Sequence, residues 1–207
     1  MDFYGLKAMV FDLDNTLVSS DIDFAGLRQE IGCPQNKDLL LHIAQQKCVK
    51  EQQRMHDIVL SYEMYDAQSS LLMPGTKETL EWLKHQNWRV GIVTRNCRQA
   101  AKLKLRAHGL IIDDVLTRED FPAKPAPDAL IYLMEKWQLT CRQILYVGDH
   151  FYDIETAKNA GSLSCFISNS DKMTTENLGH ESDFAFSSLI ELQRSLQASF
   201  TENHQHR

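Results

Sequence analysis

Along most of this chain a short apolar run ends on a polar loop and is followed by a stretch with helical periodicity. The runs occupy residues 7–11, 89–93, 115–116, 143–147 and 163–167, with a last short one at 184–186. Strands that alternate with helices build a doubly wound parallel sheet, with the crossover helices covering its faces. A parallel sheet gathers the carboxyl ends of its strands on one edge, and that edge is where ligands bind. The expected fold is therefore α/β. Residues far apart in sequence, each just beyond a strand, are expected to meet there.

Residues 20–72 break the rhythm. Phe24, Leu27 and Ile31 recur at helical spacing until Gly32-Cys33-Pro34 stops the pattern, and Leu39, Leu40, Ile43 and Ala44 suggest a second helix. Met55, Ile58, Val59, Tyr62 and Tyr65 then trace one face of a longer third helix. A helical block of this size is too large for a simple crossover. It reads as an inserted small α-helical cap, leaving 1–19 and 73–207 as the core domain. Thr76 reads as the N-cap of the next helix, Gly109 as a helix stop, and Thr201 to Arg207 as a polar frayed end.

Phe11-Asp12-Leu13-Asp14-Asn15-Thr16 follows the first strand. Carboxylates one residue apart repel, and a divalent cation with a preference for hard oxygen, such as Mg²⁺, is the simplest compensation. Asp149 and Asp153 follow a later strand. With Asp12 and Asp14 they make up to four carboxylates for one cleft, which cannot all stay ionised uncompensated. Lys124 supplies one positive charge, and Thr94 offers a hydroxyl and a strand-end amide to a phosphate oxygen. Such a set suits phosphoryl transfer, with one carboxylate as nucleophile and another as acid and base. Each residue has a plainer reading. Asp14-Asn15 and Gly148-Asp149 are turn pairs, Lys124 is a solvated loop lysine, Thr94 a turn residue, Asp153 a first-turn acid favoured by the helix dipole, and His150 simply exposed.

Lys and Arg total 22 against 28 Asp and Glu, a formal net charge of −6, which argues against nucleic acid as the main partner. No apolar run approaches the roughly 20 residues of a membrane helix, and Met1-Asp2-Phe3-Tyr4 lacks the basic start of a signal peptide. The five cysteines are scattered and form no C-x-x-C pair, which fits reduced thiols in a cytoplasm. Arg28, Lys47, Lys50 and Arg54 are cations of the insert that either meet a substrate anion or stay solvated.

Four segments in this order resemble the motifs of the haloacid dehalogenase-like hydrolases, chiefly the phosphoglycolate phosphatase and β-phosphoglucomutase branch with a small helical cap. They are Asp12-Leu13-Asp14-Asn15-Thr16, Val93-Thr94-Arg95-Asn96, Lys124-Pro125-Ala126-Pro127-Asp128, and Gly148-Asp149 through Asp153 to Gly161. The resemblance implies Asp12 as nucleophile and Asp14 as general acid and base. It implies Mg²⁺ held by Asp12, the Asp14 carbonyl and Asp149, with Asp153 in or beside the ligand shell. Phosphate would be bound by Thr94 and Lys124 with help from Arg95 and Asn96. Asn15 stands where many relatives have glycine, and asparagine tolerates the left-handed backbone of such a turn. The implied activity is a Mg²⁺-dependent phosphatase acting on a small phosphorylated metabolite. A phosphoglucomutase-like phosphotransferase and a catalytically silent binding protein on the same fold are the rivals.

Overall fold

The computed structural model describes residues 3, 5–169 and 181–204. Six parallel strands form one sheet: β1 (Ala8–Phe11), β2 (Arg89–Val93), β3 (Asp114–Leu116), β4 (Ile144–Gly148), β5 (Leu163–Ile167) and β6 (Phe184–Phe186). Their order is β3-β2-β1-β4-β5-β6. The chain lays β2 and β3 on one side of β1, then returns to lay β4, β5 and β6 on the other. The order reverses beside β1, and this is the position at which doubly wound sheets open a crevice for ligands.

β1 is buried throughout, as a strand covered on both faces must be. Its side chains alternate between two cores. Ala8 and Val10 join Ile144 and Tyr146 against Ala129, Leu130 and Leu133 of α6 (Asp128–Trp137) and Ala157 of α7 (Phe151–Ala160). Met9 and Phe11 join Leu145 and Val147 on the opposite face. That face is covered by Leu83 of α4 (Thr76–His85), Ala101 and Leu105 of α5 (Arg98–His108), and Leu189, Leu192 and Leu196 of α8 (Leu189–His204).

Between β1 and α4 lie α1 (Phe24–Ile31), α2 (Leu39–Ala44) and α3 (Val49–Ser69). Leu27, Ile31, Leu39, Ile43, Met55 and Val59 give these helices a small core of their own. The far end of α3 packs on α5 instead, through Met64 and Ala67 against Cys97, Ala100 and Leu103.

Several local expectations are corrected. Gly75, with φ +87°, is the cap of α4, while Thr76 is its first residue and donates its hydroxyl to the Leu17 carbonyl at 2.9 Å. Tyr65 is 79% exposed and is not part of the packed face of α3. The end expected to fray from Thr201 is helical as far as His204, and residues 205–207 lie outside the described residues. No helix among the described residues is long and apolar enough to cross a membrane.

Candidate active site

Asp12 is the first residue past β1. Its amide donates to the Val147 carbonyl at 2.8 Å, carrying the β1–β4 ladder one residue further and orienting the carboxylate at the crevice. The chain then turns sharply. Asn15 takes the left-handed conformation (φ +54°), its amide donates to the Val18 carbonyl at 2.6 Å, and its Oδ1 accepts the Ser20 amide at 2.9 Å.

β4 delivers the second pair of acids. Asp153 lies in the first turn of α7, where its Oδ2 accepts the His150 amide at 3.0 Å and helps to cap the helix. The side chain passes so close to β4 that a Cβ on Gly148 would sit 2.3 Å from its Cγ, so only glycine fits there. Lys124 comes from the loop before α6, and its buried ammonium bridges Asp12 Oδ1 at 2.7 Å and Asp153 Oδ1 at 2.6 Å. Asp12, Asp149 and Asp153 each bring a carboxylate oxygen within 4.8 Å of the other two.

One ammonium among three carboxylates leaves negative charge uncompensated. Burial, then the neighbouring Asp12 and Asp153, push the Asp149 carboxyl up to about 8. Burial also raises Asp12, against the pull of Lys124. For Lys124 itself burial works against the charge, but Asp12 and Asp153 outweigh it and hold its pKa well above the ordinary lysine value. A compact, electron-rich set of hard oxygen donors fits a divalent cation such as Mg²⁺.

The Asp14 carboxylate stands outside this trio. Its Oδ1 accepts Lys104 Nζ at 2.5 Å and its Oδ2 accepts Asn96 Nδ2 at 2.8 Å. Burial lifts its pKa to about 6, against the opposing effect of Lys104. Two aspartates one residue apart thus occupy different environments, one facing a metal-ready cluster and one held by a lysine and an amide.

The loop after β2 is arranged less simply than its residues suggest. Thr94 is buried, but its amide is spent on the Leu116 carbonyl at 2.9 Å, so only the hydroxyl remains for a ligand. Asn96 directs its amide group to Asp14 and to Thr94 Oγ1, the latter at 3.2 Å. Arg95, expected among the phosphate ligands, pairs with Asp38 of the insert at 2.6 Å and lies 4.4 Å over the Tyr152 ring. His150 is exposed at the rim. Arg28 spends Nη1 on the carbonyls of Pro34 and Lys37 at 3.0 and 2.8 Å, and Arg54 pairs with Glu51.

All the expected site residues line one cleft of about 300 Å³, which Ile22, Phe24, Leu40 and Val59 of the insert also line. Sequence reasoning missed the buried charges beneath it. Lys104, fully buried on α5, bridges Asp14 to Asp66 of α3 at 2.6 Å, and Arg118 reaches Glu63 of α3. A signal for Lys104 exists: it shares the buried face of α5 with Ala100, Ala101 and Leu105, where a lysine requires a partner.

The family model of the haloacid dehalogenase-like hydrolases matches residues 9–167. A haloacid dehalogenase-like hydrolase domain-containing protein of Arabidopsis thaliana is 30% identical over 96% of this chain and 86% of its own. A phosphoglycolate phosphatase of Vibrio vulnificus is 29% identical over 90% of this chain and 94% of its own. Among solved structures, a hydrolase from Pseudomonas syringae superposes with a TM-score of 0.74 at 21% identity, covering 93% of this chain and 98% of that one. The fold, the switch-point cleft and these matches agree: the chain belongs to the haloacid dehalogenase-like hydrolases.

Proposed function

We propose that this chain is a Mg²⁺-dependent phosphatase that hydrolyses a small phosphomonoester through an aspartyl-phosphate on Asp12. The observation that carries the reading is the division of labour between the two aspartates of one loop. Asp12 lies against Lys124 beside Asp149 and Asp153, and Asp14 is held apart by Lys104 and Asn96.

In this reading an Asp12 oxygen attacks phosphorus, and the bond to the leaving oxygen breaks as Asp14 protonates it. Water then attacks the same phosphorus, giving its proton to Asp14 and releasing phosphate and free Asp12. Lys124 and the Thr94 hydroxyl bind the phosphoryl oxygens, and Lys124 also offsets charge as it moves from Asp12. Asn96 aims Asp14. Arg95 acts at the leaving-group end. Asp12, Asp149, the Asp14 carbonyl and Asp153 hold the Mg²⁺, which when bound supplies charge neutralisation for the transferring group. Residues 20–72 serve as the cap that selects the leaving group, over a core of 1–19 and 73–207. A soluble metabolite of the cytoplasm is the substrate class that fits an acidic chain with a small cleft.

The test is phosphate release from a panel of sugar phosphates, nucleoside monophosphates, phosphoglycolate and an aryl phosphate, with Mg²⁺ and with chelator. Metal-dependent release that Asp12→Asn abolishes supports the reading. Equal release without metal refutes it.

A further inference from the structure

The charge pattern of the cleft bears on which phosphomonoester it takes. Six acidic side chains line it against three permanent cations, Arg28, Arg95 and Lys124. Lys124 is shared between Asp12 and Asp153. Arg28 spends Nη1 on two carbonyls of its own segment. Those carbonyls orient Arg28 without neutralising it, whereas Arg95, the cation of the loop after β2, is answered by Asp38 of the insert.

Asp38 is firmly held in that role. Its Oδ1 accepts the Leu41 amide at 2.9 Å as N-cap of α2, and its Oδ2 accepts Arg95 Nη2 at 2.6 Å and the Tyr152 hydroxyl at 2.8 Å. Arg95 also donates to the Lys124 carbonyl and stacks over Tyr152, so both partners are fixed from two sides. Burial opposes the charge on Asp38, but the Leu41 amide and Arg95 outweigh it and keep its pKa below the usual carboxylate value. A carboxylate on the leaving group would have to compete for Arg95 with Asp38, which the Leu41 amide and the Tyr152 hydroxyl hold in place.

Resting on the phosphatase reading above, we propose that Asp38 is a specificity-determining residue. By neutralising Arg95 it makes the cleft select phosphomonoesters with an uncharged leaving group over those carrying a second anion. The apolar side chains Ile22, Phe24 and Leu40, which also line the cleft, suit such a group.

A matched pair tests this: 2-hydroxyethyl phosphate, with a neutral leaving group, and phosphoglycolate, of similar length with a carboxylate. Wild-type enzyme with Mg²⁺ should favour the neutral ester in kcat/KM by about tenfold or more, the equivalent of one modest ion pair. Asp38→Asn keeps the helix cap and the hydroxyl contact while freeing the arginine charge. It should shift the ratio about tenfold toward phosphoglycolate, chiefly through KM for that substrate. Calorimetric titration of both esters into Asp12→Asn, and into Asp12→Asn/Asp38→Asn, reads the same preference without turnover. A wild-type preference for phosphoglycolate, an unchanged ratio in Asp38→Asn, or no preference for the neutral ester in the Asp12→Asn titration overturns the proposal. Absence of turnover combined with the expected binding ratios would refute the phosphatase reading and leave the selectivity of Asp38 standing.

Discussion

Replacing Lys104 with methionine should expose how the site is held together. The ammonium is completely buried, 2.5 Å from Asp14 and 2.6 Å from Asp66, and methionine matches its length without its charge. Removing one partner of a buried pair costs about 3–5 kcal/mol, because the other charge stays buried without compensation. Asp66 keeps the Ser20 hydroxyl at 2.9 Å and the Asp21 amide at 2.7 Å, and Asp14 keeps Asn96, so the lower end applies. A loss of about 3 kcal/mol lowers the melting temperature by roughly 6–12 °C for a chain of this size. The loss should also depend on pH. Burial already raises Asp14 to about 6 against the opposing effect of Lys104, so without that ammonium its protonation removes a bare charge and the deficit shrinks from pH 8 toward pH 5. Urea unfolding of wild type, Lys104→Met and Lys104→Met/Asp66→Asn at both pH values measures this. The double variant should recover at least about 1 kcal/mol relative to the single one. A deficit below about 1 kcal/mol at pH 8, or one equal at both pH values, refutes the reasoning.

Other consequences follow from the same geometry. Gly148→Ala forces a Cβ to within 2.3 Å of the Asp153 carboxyl, so it should lose Mg²⁺ affinity at least tenfold by calorimetry and melt several degrees lower. Because Asp149 is pushed from 3.8 up to about 8 in the folded chain, metal-free stability should fall as pH rises through that interval. Mg²⁺ should therefore raise the melting temperature more at pH 8 than at pH 5, and thermal melts with chelator and with metal show the sign. Among the thiols, exposed Cys48 should react first with a disulfide reagent. Cys97, which burial pushes up to about 11, should react only on unfolding.

The outline of the fold is legible because its signals are local. A buried parallel strand needs an apolar run, and Asp12, Thr94 and Gly148-Asp149 each come directly after one. Ordered strand ends imply a shared edge, so Lys124 and Asp153 could be placed beside Asp12 without any contact being known. What escaped the sequence depends on partners from distant elements. Arg95 can be placed in the loop after β2 from the sequence, but its pairing with Asp38, 57 residues away, shows only in the structure. The Thr94 amide looks free until β3 is extended far enough to use it. The burial of Lys104 has a signal in its own helix, but its pairing with Asp66 follows only from the packing of α3 on α5.

The central claim is that Asp12 carries the phosphoryl group. Acid quenching during turnover, followed by digestion and mass spectrometry, tests it directly. The account predicts a hydroxylamine-labile phosphoryl group on the peptide containing Asp12, present with Mg²⁺ and substrate and absent in Asp12→Asn. Undiminished phosphate release by Asp12→Asn, with no phosphorylated peptide in the wild type, would contradict it.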